Sequence, residues 1–440
     1  MGKKNCKSNI KCGPNPFKKD KCGPNPFLKS EIKNRCVPCN STFLTFTGTL
    51  PTTSTSLTLT PASTGIPIQV GQNCVVRNVN VTFTPNINAF AIDDDNNLIL
   101  FNTANPSSFT TRTITGLGVD EIAVGIDFRP SNGLLYLVTT DSPDFGTGRI
   151  YTLNTTGTGA VATLVSTLDE PLVGVIFGID FNPQTDRLRI ISADGFDNYS
   201  VDVDDNPGIV NQQDILDGFP ILFIAGAAYT NNVAGATSTQ LYDLNLNTDV
   251  LVLQDPPASG NLTTIGPLGV AAIELNDSGF DIQTNPTTGV NTAFAIFTVN
   301  DDTGLYNINL TTGAATLLGS FGAGDLSIRG LAVAPLQSLL IVLQRNGVAS
   351  GVSAVLPIGG SQVNVSSCLP VTSTDTLSIV VTDINGSALP ISDSISVTLE
   401  IACGGPNVCD CVSVTGNNNN LNCDNNAVFN FGNSKCKKRC

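Results

Sequence analysis

The chain has 440 residues, 36 acids against 22 lysines and arginines for a formal net charge of -14, 13 cysteines, and neither histidine nor tryptophan. Without histidine, Ser-His-Asp triads, Cys-His nucleophile pairs and histidine-ligated zinc or iron are excluded, and no run of eighteen apolar residues is present to span a membrane as a helix. Aliphatic residues with Thr, Asn, Gly and Pro dominate, which favours short strands joined by turns over helices.

Residues 1–39 are a basic, cysteine-rich tail, with ten Lys or Arg against Asp20 and Glu31. The hexapeptide CGPNPF occurs in it twice, at Cys12 and again at Cys22. Its Gly-Pro and Asn-Pro steps deny both helix and central strand, so each copy is expected to present its cysteine from a tight, extended turn, as a clasp for cross-linking. Cys36 and Cys39, in CVPC, have the spacing of half a zinc site or of a redox pair. Structural disulfides are the expectation, since a redox enzyme needs a βαβ context that this strand-and-turn sequence lacks. The opening "MGKKNCKSNIKCGPNPF" contains no apolar h-region, so no signal peptide is recognisable.

Residues 40–85 alternate with period two in "FLTFTGTL", "SLTLT" and "CVVRNVNVTFT", the pattern of half-buried strands. Between residues 40 and 434 there is no lysine, and eight arginines face thirty-four acids. The body is therefore acidic between two basic ends, a division that suits self-association or another surface protein better than nucleic acid, whose phosphates the body would repel.

Residues 86–335 repeat. Aligning Gly125, Gly178, Gly226 and Gly279 gives steps of 53, 48 and 53 residues, each unit running from a Gly-led strand through an apolar strand and a Tyr-bearing strand to a Thr/Ala/Leu strand. Units of this length with up to four antiparallel strands predict blades of a β-propeller. Ile87–Thr115 lacks a Gly-led strand and Arg329–Pro335 supplies a spare one, so the expectation is about five blades, with residues 329–335 completing the first. Six remain open because Asp205–Leu222 is poorly patterned.

Several stretches of this region, "GIDFRPSNGLLYLVT", "RIYTLNTTG", "GIDFNPQTDRLRIIS", "AAYTNN", "GNLTTIGPLGV" and "LYNINLTTGAATLLG", resemble in order the uncharacterised DUF4394 family. The resemblance spans roughly residues 86–335. It implies a propeller-like fold, frequent in exported proteins, and brings no assigned catalytic residues.

Residues 336–402 return to strands between Gly, Asn and Pro turns, as in "DTLSIVVTDINGSALPI" and "SISVTLEIAC". With residues 40–85 they are expected to form a flanking β-sandwich or jelly-roll-like domain. Residues 403–440 are a second basic cysteine-rich tail. Cys6, Cys12, Cys22, Cys36, Cys39 and Cys74 come early, Cys368, Cys403, Cys409, Cys411, Cys423, Cys436 and Cys440 come late, and none falls between Cys74 and Cys368. All thirteen are expected to be structural. Their odd number implies a free thiol or a bond to another chain.

Candidate sites are few. Asp127 and Asp180 in "GIDF" and Asp281 in "GFDI" hold equivalent places in three units and are an axial candidate for a cation or a sugar, or else acceptors of backbone hydrogen bonds. Three acidic turns, with Asp93 and Asp95, Asp202 and Asp204, and Asp301 and Asp302, offer hard oxygen ligands suited to calcium, although Asx-rich hairpins need no ion. No other cofactor is expected. Asn40, Asn80, Asn154, Asn261, Asn309 and Asn364 begin glycosylation sequons,. The reading that follows is a non-catalytic structural protein of an extracellular or virion surface, such as a fibre or outer layer, cross-linked through its terminal cysteines as a homo-oligomer. The alternative is a secreted glycan- or calcium-binding module, with an enzyme lacking histidine third.

Overall fold

A computed structural model describes residues 40–404 apart from breaks at 50–55, 62–72, 85–87, 156–158, 195, 218–221, 271–272, 323–325, 359 and 385–393, together with 421–422 and 428–429. Cys6, Cys12, Cys22, Cys36, Cys39, Cys409, Cys411, Cys423, Cys436 and Cys440 lie outside the described residues, and with them the clasp and zinc readings. Every regular element among the described residues is a strand. None is a helix long and apolar enough to cross a membrane.

The chain opens with β1 (Asn40–Thr49), β2 (Ser56–Leu59) and β3 (Asn73–Thr84). The middle follows with β4 (Ala89–Asp93), β5 (Asn97–Asn102), β6 (Asn105–Thr115), β7 (Ile122–Phe128), β8 (Leu135–Thr140), β9 (Gly146–Asn154) and β10 (Ala160–Leu172). Next come β11 (Phe177–Asn182), β12 (Arg187–Ser192), β13 (Asn198–Asp202), β14 (Ile209–Gln212), β15 (Ile224–Tyr229), β16 (Leu241–Asn245), β17 (Val250–Gln254) and β18 (Leu262–Pro267). The middle ends with β19 (Ile273–Thr284), β20 (Asn291–Val299), β21 (Asp302–Ile308), β22 (Ala315–Ser320) and β23 (Ile328–Val333). The last strands are β24 (Leu339–Arg345), β25 (Val348–Leu356), β26 (Gln362–Val371), β27 (Leu377–Asp383), β28 (Ser394–Gly404), β29 (Leu421–Asn422) and β30 (Val428–Phe429).

The two flanks interleave. β1, β28, β3 and β26 form one sheet and β2, β27, β24 and β25 another. Period-two alternation dictates which side of each strand is buried: Leu44 and Phe46 point inward while Phe43 and Thr45 are exposed. Leu44, Phe46, Val79, Val81, Ile341, Ile379, Val381 and Val397 meet in one core shared by both sheets. Cys74 and Cys403 sit directly opposite each other on β3 and β28 and are joined by a disulfide. Cys368 is also disulfide-bonded.

In the middle, strands such as Ala89–Asp93, Leu135–Thr140 and Ile224–Tyr229 are buried on both faces, as their near-continuous apolar runs require. β11 to β14, β15 to β18 and β19 to β22 each make a four-stranded sheet. β23 pairs with β4, Leu331 opposite Ala91 and Val333 opposite Ala89, the pairing expected for the spare Gly-led strand. The poorly patterned stretch supplies β14, the outer strand of its sheet.

The expectation of a closed β-propeller of about five blades is corrected. Among the described residues the fold is all-β, with six sheets of four to eight strands and one of two, and none of them closes on itself. β6 and β10 pair in parallel through Ala160 with Ile114 and Val161 with Thr115, which merges two groups of four strands into one eight-stranded sheet in the order β23-β4-β5-β6-β10-β9-β8-β7. Local periodicity predicts hairpins; it carries no information about whether the outermost strands of two neighbouring hairpin groups will share hydrogen bonds.

Neighbouring inner strands meet instead by packing, through their repeated glycines. A Cβ added at Gly178 on β11 would lie 2.7 Å from the Ala227 nitrogen on β15, and one at Gly279 on β19 would lie 2.7 Å from the Leu331 nitrogen on β23. No side chain fits where two backbones approach this closely.

The expected place in a virion, surface fibre or extracellular layer is corrected as well. The one disulfide with both partners among the described residues staples two strands of the same chain, and no feature of those residues supports that placement.

Candidate metal centre

The inner strands bring together the three acids that the sequence aligns. Asp127 on β7, Asp180 on β11 and Asp281 on β19 each lie two residues after a repeated glycine, and one carboxylate oxygen from each falls within 4.8 Å of the others. At the matching places on β15 and β23 stand Ala228 and Ala332, both fully buried. Among the described residues no other group of three or more Cys, Asp or Glu side chains comes this close.

Each acid also ties its strand to the next. Asp127 Oδ2 accepts the Phe181 N–H at 2.7 Å, Asp180 Oδ2 accepts the Tyr229 N–H at 3.0 Å, and Asp281 Oδ2 accepts the Val333 N–H. Asp127 Oδ1 accepts the N–H of its own neighbour Phe128 at 2.6 Å. These bonds leave Oδ1 of Asp180 and Oδ1 of Asp281 buried without a hydrogen-bond partner. A buried carboxylate oxygen in that state costs free energy that a hydrogen bond or a cation removes.

Electrostatics point the same way. The three acids are between 98 and 99 % buried. Burial, reinforced by Asp281, pushes the Asp127 carboxyl well above the usual carboxylate range, and burial with Asp127 and Asp281 does the same to Asp180. Burial raises Asp281 to about 7. Three carboxylates this close, away from water, cannot all carry charge unless something positive joins them. No arginine hydrogen-bonds to any of the three among the described residues. The oxygen-only donor set suits a hard divalent ion such as calcium and not a soft one.

The acidic turns are arranged differently. Asp93 Oδ1 accepts the N–H groups of Asp95 and Asn97, and its Oδ2 accepts Asn97 Nδ2, an Asx turn in which Asn96 adopts φ 60°. Asp202 meets Arg187 at 3.5 Å, and Asp204 meets Arg129 at 2.6 Å. Asp302 accepts the Ser320 hydroxyl, while Asp301 is an exposed hairpin residue with φ 61°. The turns lie on separate hairpins and are not brought together. Of the sequon residues, Asn261, Asn309 and Asn364 are exposed, Asn80 and Asn154 half-buried.

Arg129 binds Asp186 and Asp204 and lies over the rings of Tyr136 and Phe181 at 6.0 and 5.8 Å, clamping neighbouring sheets. Two features escaped the sequence reading. Asp243, in the apolar β16, is wholly buried with both oxygens unpartnered; a single acid in "LYDLN" carries no signal of which way it faces. A polar cleft beside residues 230–242 had no signal beyond its turn-rich composition.

Comparison with known proteins agrees with the middle region's resemblance. The profile of DUF4394, a domain of unknown function, matches residues 97–332, more than half of the chain. The chain belongs to that family. None of the curated proteins matches it. Among solved structures it is similar to the Malassezia sympodialis allergen Mala s 1, at 9 % identity and a TM-score of 0.31, over 66 % of this DUF4394 chain and 87 % of the allergen. It is also similar to a chain of a nidogen/laminin complex, at 11 % identity and 0.34, over 58 % and 98 %. A third is an exo-β-1,3-galactanase from Phanerochaete chrysosporium with galactose, at 12 % and 0.32, over 70 % and 95 %. Overlaps this loose carry no argument about what the DUF4394 chain does.

Proposed function

We propose that the protein is a non-catalytic binding module built around a calcium ion held by Asp127, Asp180 and Asp281. The observation that carries this reading is the buried triad itself, with Oδ1 of Asp180 and of Asp281 left unpartnered. A divalent ion there would offset two of the three carboxylate charges and tie β7, β11 and β19 together, whereas among these three strands the acids' hydrogen bonds to backbone join only β7 to β11. Calcium takes about six to eight oxygens, so three carboxylates would be completed by water or ligand oxygens.

Calorimetric titration with calcium after chelator treatment tests this. Saturable binding is expected, with a melting temperature that rises with calcium, since an ion at a hundred times its Kd adds about 2.7 kcal/mol to the folded state. Asp180→Asn keeps an acceptor for the Tyr229 N–H and is expected to abolish the calcium-dependent rise. An absence of heat at millimolar calcium, with the same melting temperature in chelator, would overturn the reading.

A further inference from the structure

The cleft beside residues 230–242 has a volume of about 400 Å³, within the roughly 300–1,000 Å³ of small-ligand sites. It opens where the sheet of β15 to β18 meets the sheet of β19 to β22. Its rim is held in place by hydrogen bonds. The Asn231 N–H donates to Asn291 Oδ1 at 2.9 Å, Asn231 Nδ2 to the Ser238 carbonyl at 3.0 Å, the Thr239 hydroxyl to the Thr230 carbonyl at 2.6 Å, and the Gln240 N–H to Thr230 Oγ1 at 2.8 Å. Asn231 takes a left-handed φ of 55° to turn the chain at the rim. A rim ordered before a ligand arrives lowers the entropic cost of binding.

Two lining groups are left over. Tyr242 Oη and Gln240 Oε1 touch at 3.5 Å, beyond a good hydrogen bond, and among the described residues the Gln240 amide nitrogen has no partner. The lining holds amides, hydroxyls and the apolar Leu310, with no acid and no base. Burial pushes the Tyr242 hydroxyl up, so it remains a neutral donor. An anion would find no cation there, and a metal ion no carboxylate.

We propose that this cleft binds a neutral carbohydrate, one hexopyranose unit, with Gln240 and Tyr242 hydrogen-bonding its hydroxyls and Leu310 against its C–H face. Amides and hydroxyls both donate and accept, which matches a ring of hydroxyl groups and no charged ligand class. The site is separate from the carboxylate centre and does not depend on it.

The test is calorimetric titration of the full chain with glucose, galactose, mannose and N-acetylglucosamine, in calcium and in chelator, beside immobilised glycans ending in the same sugars. At least one sugar is expected to bind with a millimolar or tighter Kd, weakened tenfold or more by Gln240→Ala and by Tyr242→Phe at unchanged melting temperature. Response to immobilised glycans alone also supports the site and identifies a chain end as its ligand. No saturable binding in either format would overturn the proposal, as would binding that both variants retain. Because Gln240 is exposed, its variant keeps the test valid even if Tyr242→Phe disturbs the strand.

Discussion

Asp243 sits in an environment that an ionised carboxylate tolerates poorly. It faces inward from β16, opposite Ala227 and Val252, and burial raises it to about 7, opposed by the Arg189 charge. Arg189 itself is engaged by the Tyr229 hydroxyl, Asn198 and the Pro257 carbonyl, so its charge reaches Asp243 without a direct bond. In the unfolded chain the carboxyl titrates near 4. Between about pH 4 and pH 7 the native state therefore holds a proton that the unfolded state has released, so Asp243 makes the fold less stable as pH rises through that window. Asp243→Asn is expected to reduce the stability lost between pH 5 and pH 8 by a few kcal/mol, measured by urea unfolding in chelator. Equal losses in variant and parent would show that Asp243 carries no such burden. At this scale the triad was legible, because an acid two residues after a repeated glycine recurs in three units. The isolated Asp243 was not, since one acid in one strand looks the same whether it faces solvent or core.

Each strand is locally specified, and the repeated glycines show how local specification meets its neighbours. Gly178 is forced by Ala227, whose nitrogen and Cβ would both lie 2.7 Å from an added Cβ. Gly159 precedes β10 with nothing within 4 Å. Gly178→Ala is expected to cost about 1–3 kcal/mol, the usual range for overpacking, while Gly159→Ala is expected to be near neutral. Thermal melts of the two variants check this, and equal melting temperatures would remove the close-approach argument. The order of hairpins and the pairing of β23 with β4 were readable from the missing and surplus Gly-led strands. The parallel contact of β10 with β6 was not. It rests on two residue pairs, too few to impose a pattern on the chain.

At the scale of the whole molecule, β3 from the early flank and β28 from the late one are brought together across a sequence separation of 329 residues by the Cys74–Cys403 bond and by the ladder around it. Closing so long a loop limits the unfolded chain, and loss of such a bond typically costs about 2–5 kcal/mol. Cys403→Ser is expected to lower the melting temperature measurably while leaving calcium binding at the triad intact. If the variant melts with the parent, the bond contributes no stability. Composition and periodicity alone determined that the chain is all-β, that its middle is a run of similar hairpin units, and that histidine-based catalysis is excluded, because these follow from residue types and spacings within a few turns of chain. Only the tertiary structure decided that the sheets stay open and join where β6 meets β10, and that Oδ1 of Asp180 and of Asp281 is left buried without a partner. Each of these depends on contacts between residues tens to hundreds of positions apart, where the identity of one partner places no constraint that can be read from the other.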